Sequence, residues 1–240
     1  MDIKVLNTAQ EVSNFVANEI VKLIKSKPDA VLGVATGRTM DAIYHRVVQL
    51  AVAANIDFSR VRAFAVDEYI GLEDGSPYSY REYLNLHLFD QLNFNKKNIY
   101  IPNPTCDDID KCCQQYEQAI IDVGGIDLQL LGLGLNGHVG LNEPGSASDS
   151  RTRIVALTSS TRNSNKVLFR NEQVPLTAVT IGLGTILDSK RCLLIATGET
   201  KSEIVQRVVN GDINSKVPAT ALKQHKNNLI VLDKHAAKLV

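Results

Sequence analysis

The stretch IDLQLLGLGLNGHVGLNEPG, residues 126–145, decides how this chain is read. Its first eight residues, Ile126–Leu133, are largely apolar and short, the signature of a strand buried on both faces. The run then breaks into a Gly-rich turn that places Asn136, His138 and Glu143 within eight residues. In open α/β sheets ligands bind just past the C-terminal ends of the strands. A strand that empties into Gly, Asn, His and Glu therefore points to chemistry at that end.

Working outward, apolar strands and amphipathic helices alternate. Ile3–Leu6 reads as a strand, and a helix follows over about 9–26, with Thr8 as N-cap and Glu11 completing a capping box. Ala30–Ala35 is a buried strand ending in Thr36-Gly37-Arg38-Thr39, and a helix runs from about Met40 to Ala54. Val61–Val66 is the next strand, with Asp67-Glu68-Tyr69 at its end. Tyr78–Leu92 and 107–122 read as helices, with a strand at Asn98–Ile101 between them. Beyond the key loop, Arg151–Leu157 is extended and Ser164–Phe169 is a short helix. Thr177–Gly182 and Cys192–Ala196 are strands, a helix follows TGETKS (197–202) to about Val209, and Asn228–Asp233 is the last strand. Alternation of this kind predicts an α/β fold: one domain over 1–240, with an open, mostly parallel sheet and helices on both faces.

Composition narrows the function. Basic and acidic residues balance at 26 each, which argues against a general nucleic-acid or membrane-surface binder. No apolar run approaches the ~20 residues of a membrane helix, and MDIKVLNTAQE is too polar for a signal peptide. Cys106, Cys112, Cys113 and Cys192 form no C-x-x-C pair. The expectation is a cytoplasmic protein with reduced thiols.

Gly132, Gly134 and Gly137 spell G-x-G-x-x-G, but Pro144 and Gly145 interrupt the helix that a dinucleotide fingerprint requires, and no acidic residue stands 20 positions on. No Walker loop, H-E-x-x-H cluster or G-x-S-x-G elbow is present. The expectation is no cofactor and no metal. Thr36–Thr39 lies between strand and helix, where free N–H groups hold anions, or is an ordinary βα turn. TGETKS is a second such turn; Lys201 in its first helical turn opposes the helix dipole unless an anion sits there, or is a solvated surface lysine. Asp67-Glu68 is open to three readings: catalytic carboxylate, metal ligand or helix cap.

Taken together, ATGRT (35–39), VDEYIGL (66–72), GLGLNGHVGLNEPG (132–145), SRTRI (150–154), STR (160–162), TIGLGTILDS (180–189), ATGETKS (196–202) and VPATALKQH (217–225) resemble the glucosamine-6-phosphate deaminase family, in order along nearly the whole chain. The related 6-phosphogluconolactonases share the fold but carry a DGHTASLFP-like segment where VGLNEP follows His138 here. The resemblance implies a Rossmann-like fold and conversion of glucosamine 6-phosphate and water to fructose 6-phosphate and ammonia. It implies Asp67 as the base at C2, His138 in ring opening, and Asn136 and Glu143 as its supports. Thr36, Gly37 and Thr39, with Arg162 and Lys201, resemble the phosphate-binding set, and Arg38 is a candidate addition to it.

The departures from the family carry their own expectations. Arg38 and Met40 replace the small residue and the proline of the usual phosphate loop. Asn136 stands where longer members carry Asp. Those members also pair a lysine with the arginine matching Arg153 at an allosteric anion site; Val155 occupies the lysine's position, and the C-terminal extension is missing. The expectation is a monomer or small homo-oligomer with hyperbolic kinetics. The alternatives are a lactonase or a non-catalytic sugar-phosphate sensor. A sensor would have lost Asp67 or His138 while keeping Thr36 and Arg162, and this chain keeps all four.

Overall fold

The computed structural model describes residues 1–169 and 172–240. Seven strands form one parallel sheet: β1 (Asp2–Leu6), β2 (Val31–Val34), β3 (Arg62–Ala65), β5 (Ile99–Tyr100), β6 (Leu128–Gly132), β9 (Cys192–Ala196) and β10 (Asn228–Asp233). Their spatial order is β1-β10-β9-β6-β2-β3-β5. The chain steps from β2 through β3 to β5 in one direction, returns to β6 on the other side of β2, and continues through β9 to β10. The order thus reverses between β2 and β6.

Five longer helices flank this sheet: α1 (Ala9–Ser26), α2 (Arg38–Ala53), α3 (Tyr80–His87), α4 (Ile109–Asp122) and α7 (Ser202–Asn210). Helices α1 and α2 pack on each other. Right-handed crossovers place both on one face and put α4 and α7, which serve connections running the opposite way, on the other. Helix α1 starts at its expected cap, with the reciprocal bond displaced by one residue from a strict capping box: Thr8 Oγ1 accepts from Glu11 N at 3.1 Å, and Glu11 Oε2 accepts from Asn7 N, before the cap, at 2.9 Å. Strands β2 and β9 are buried throughout, and Gln129 of β6 between them has no exposed surface. Its side chain fills the space beside Gly33 of β2, where an added Cβ would lie 2.1 Å from Gln129 Oε1. Gly33→Ala is expected to cost about 1–3 kcal/mol by overpacking, read as a lower denaturation midpoint.

A second, three-stranded antiparallel sheet was not visible in the sequence as a sheet. It consists of β4 (Asp67–Tyr69), β8 (Thr177–Thr180) and β7 (Arg153–Ala156), with Thr180 of the middle strand opposite both Asp67 and Arg153. The chain leaves β3 and passes through Val66, whose N–H donates to Val34 and whose carbonyl accepts from Ile181, directly into β4. Tyr69, Leu141, Leu157, Phe169, Val174 and Ala178 form its own apolar cluster, with Val155 packed at its margin.

Several boundaries move. The helix expected over Tyr78–Leu92 ends at His87, because Leu88 leaves helical geometry and Leu88 and Phe89 turn into the core. The helix expected at Ser164–Phe169 is instead α5 (Ser159–Asn165), started by Thr158, whose side chain accepts from Thr161 N. Helix α6 (Leu183–Leu187) and a 3-10 segment at Pro218–Gln224 were not foreseen. The expectation of four reduced thiols also fails. Cys106 and Cys112 form a disulfide, since the turn capped by Asp108 folds Cys106 onto the first turn of α4, with 6.6 Å between Cα atoms. Cys113 and Cys192 are free and buried.

Candidate active site

Because the main sheet is parallel, the segments following β2, β3, β6 and β9 all leave from one edge. These carry Thr36–Thr39, Asp67, Asn136–His138 and Lys201 respectively. The β2 and β6 exits are neighbours at the point where strand order reverses, the position at which open α/β sheets bind ligands.

The loop after β6 closes on itself. Gly134 N donates to the His138 carbonyl at 2.9 Å, Gly137 N donates to the Gly134 carbonyl at 3.0 Å, and Asn136 Oδ1 accepts from His138 N at 3.2 Å. The imidazole folds back over Gly134, within 2.3 Å of where a Cβ would stand, so only glycine leaves room for it. Asn136 Nδ2 donates to Glu143 Oε2 at 2.7 Å, and that same oxygen lies 3.7 Å from His138 Nδ1. Thr158 holds the other oxygen, Oε1, through its N–H at 3.3 Å and its hydroxyl at 3.2 Å. Thr161 Oγ1 stands 3.4 Å from His138 Nδ1. Burial pushes the Glu143 carboxyl up, but the polar contacts of His138, Thr161 and Asn136 outweigh it and bring it to about 2. Glu143 is therefore an anion across the working pH range, fixed on one side of the imidazole. Among the described residues Nε2 of His138 makes no hydrogen bond.

The two carboxylates after β3 separate into different jobs. Glu68 helps cap α3 beside its N-cap Ser79: its oxygens accept from the N–H groups of Tyr69, Tyr80 and Arg81 at 2.8–2.9 Å, the last two at the start of α3. Asp67 is buried, and among the described residues its carboxylate accepts no hydrogen bond. Desolvation, with Glu68 beside it, raises Asp67 to about 8. A buried carboxyl without donors is an expensive arrangement, and such groups concentrate at functional sites. Its strand is tied to the His138 loop, because Thr180, opposite Asp67, accepts from Leu141 N at 3.1 Å.

At the β2 exit Gly37 is the N-cap of α2 and offers no capping side chain. The N–H groups of Arg38 and Thr39, and the hydroxyls of Thr36 and Thr39, have no acceptor among the described residues. Tyr83 braces the turn, its hydroxyl donating to the Gly37 carbonyl at 3.0 Å or to Asp41. The Arg38 side chain is exposed. Arg162, on α5 one turn past Thr158, buries its Nε without a partner among the described residues.

The second turn differs from its expectation. Its anion is the chain's own Asp233, whose carboxylate accepts from Gly198 N at 3.0 and 3.1 Å. Lys201 ends a 3-10 turn, Glu199–Lys201, and reaches back to donate to the Leu133 carbonyl at 2.6 Å. Burial lowers its pKa, yet two of its N–H groups remain for a ligand at the mouth of β6. Beyond the S/T-x-x-T spacing of a capped helix, nothing local in the sequence marks Thr158 and Thr161 as partners of Glu143 and His138. Among the described residues no group of three or more His, Cys, Asp or Glu side chains converges to hold a metal, and no helix is long and apolar enough to cross a membrane.

The family model for glucosamine-6-phosphate isomerases and 6-phosphogluconolactonases matches residues 5–231. The chain belongs to that family. Within it, the similarity falls on one branch. A glucosamine-6-phosphate deaminase of Thermoanaerobacter sp. (strain X514) is 42% identical over 96% of this chain and 92% of its own length. One from Clostridium perfringens (strain SM101 / Type A) is 40% identical over the whole of both chains. The solved structure of a monomeric glucosamine-6-phosphate deaminase superposes with a TM-score of 0.97 at 39% identity, covering both chains fully. By contrast, the 6-phosphogluconolactonase of Trypanosoma cruzi, at 18% identity and a TM-score of 0.79, shares the fold.

Proposed function

We propose that this chain converts glucosamine 6-phosphate and water to fructose 6-phosphate and ammonia, without a cofactor or metal. The observation that carries the reading is the pairing of a buried, donor-free Asp67 with a Glu143-fixed imidazole at one sheet edge. Ring opening needs a group that takes the proton from the O1 hydroxyl and returns one to the ring oxygen, and a neutral imidazole does this near neutral pH. Asp67 then takes the C2 proton of the open chain while a proton passes from the C2 ammonium to the aldehyde oxygen O1, which gives the enolamine. Asp67 returns its proton to C1, water adds at C2 of the resulting 2-iminium, and the carbinolamine expels ammonia. Asp67 works as the anion, and the substrate's ammonium favours that form. The N-terminus of α2, with Arg162 and Lys201, holds the phosphate, so that remote binding energy orients the reacting end.

A phosphorylated sugar does not cross membranes unaided, which supports a cytoplasmic reaction; the fully superposing relative described as monomeric supports a monomer or small homo-oligomer. Chelator-treated protein is expected to release ammonia and fructose 6-phosphate in equal amounts from glucosamine 6-phosphate. Hydrolysis of 6-phosphogluconolactone instead, binding without turnover, or activity restored only by a divalent metal would each overturn the proposal. Arg162→Ala and Lys201→Ala are each expected to raise KM by roughly 10- to 100-fold, since a charge-assisted contact contributes about 1.5–3 kcal/mol. Unchanged KM in both variants would remove them from the phosphate site.

A further inference from the structure

The loop bearing Glu143 is held by a cation to which the proposed reaction gives no role, Arg153, whose counterpart in longer family members is expected at an allosteric anion site. Arg153 of β7 is half-buried, and among the described residues no carboxylate lies within 4 Å of it. Its Nη1 donates to Asn142 Oδ1 at 2.9 Å and to the Arg151 carbonyl at 3.3 Å, and its Nη2 donates to Ser146 Oγ at 3.0 Å. Asn142 immediately precedes Glu143 and is fully buried. Its Nδ2 is committed to the carbonyls of Val139 at 3.0 Å and Ile181 at 2.8 Å, so Arg153 satisfies its remaining acceptor. Ser146 returns to Glu143: both its hydroxyl, at 2.7 Å, and its N–H, at 3.0 Å, donate to the Glu143 carbonyl. One rigid guanidinium fork therefore grips both flanks of the residue that fixes the imidazole.

We infer that Arg153 is a positioning residue, a latch that holds Glu143 in register with Asn136 and His138. A half-buried guanidinium loses solvation, and burial lowers its pKa. That cost is offset by neutral acceptors, all of them in or beside the Glu143 loop and β7. The fork geometry matters, because a lysine ammonium is a point charge that cannot span Asn142 and Ser146 in the same way. The inference rests on the deaminase reading for its kinetic consequences and on the hydrogen bonds alone for its conformational ones.

Arg153→Met and Arg153→Lys are expected to lower kcat about 10- to 100-fold, the scale of a misplacement near 1 Å, with KM changed less than about threefold because no phosphate-turn group touches Arg153. Ser146→Ala, which removes one anchor and leaves the buried core intact, is expected to lower kcat less and in the same sense. The decisive comparison is with Glu143→Gln. If Arg153 acts through Glu143, the Glu143→Gln/Arg153→Met double variant is no slower than Glu143→Gln within about threefold. Multiplicative losses, or a kcat within twofold of the parent in Arg153→Lys and Ser146→Ala alike, would overturn the latch. Amide hydrogen exchange gives a readout independent of turnover: the Glu143 and Ser146 amides are expected to exchange about tenfold faster in Arg153→Lys, with β9 and β10 amides unchanged. Unaltered exchange there would overturn the latch even if the chain acted on another sugar phosphate, and a parent protein that released no ammonia would count against the deaminase reading alone.

Discussion

Asp67→Asn is expected to abolish turnover in both directions, lowering kcat by about 10²–10⁴-fold, because an amide cannot accept the C2 proton. The direct measurement is exchange of the C2 hydrogen with solvent deuterium, which vanishes in the variant if Asp67 is the base. Surviving exchange would assign the proton to another group. In the parent, kcat/KM should rise with pH through about 8, where the buried carboxyl ionises in the free protein. The same burial has a stability signature. Between about pH 4, where an unfolded aspartate loses its proton, and about 8, the folded chain holds one proton more than the unfolded chain. Stability therefore falls as pH rises through that window. Asp67→Asn escapes the penalty, so the inactive variant should be the more stable protein at pH 9, by an amount on the order of a few kcal/mol, and close to the parent at pH 4. Denaturation curves at the two pH values check this.

His138→Gln is expected to fail earlier on the reaction path. Forward turnover should drop about 10²–10³-fold, since an amide does not relay a proton between O1 and the ring oxygen near neutral pH. Fructose 6-phosphate, with its larger open-chain fraction, should lose less when the reaction runs in reverse with ammonia. Asp67→Asn and His138→Gln thus separate: the first is equally impaired in both directions, the second unequally. Equal losses for His138→Gln would place the imidazole after ring opening. Glu143, held near 2, stays ionised over the assay range and contributes no limb to the pH profile above about pH 4.

The parts legible in sequence are those with local causes. β9 and β10 fall at Cys192–Ala196 and Asn228–Asp233 as read, because short apolar runs between turn residues leave little choice. The cap at Thr8 is equally local. The second sheet is not, since Asp67–Tyr69 is three residues long with two carboxylates, and only Thr177–Thr180, more than a hundred residues later, makes it a strand. The site divides the same way. Asn136, His138 and Glu143 sit on one loop, and their contact follows from spacing. Thr158 arrives from another element and Arg153 from a third. The Gly198 turn has the local form of an anion site, and only the fold reveals that Asp233 fills it. Cys106 and Cys112 pair through a helix start that the cysteine spacing alone does not describe.

The sheet order also sets a timetable for the nascent chain. β1 lies at one margin, and among the described residues its only sheet partner is β10, so Asp2–Leu6 emerges from the ribosome more than two hundred residues before Asn228–Asp233 can receive it. Domains begin to fold during synthesis, yet this sheet cannot be completed until its last strand arrives, and bringing such distant segments together carries the loop-closure cost that slows non-local pairing. Until then the edge of β9 stays open, with strand hydrogen-bonding groups bare to any neighbouring chain. Asp233, which closes β10, also grips the Gly198 turn. The last strand of this sheet to be made is thus the one that shapes the turn carrying Lys201, and that turn takes its form only after Asp233 has emerged.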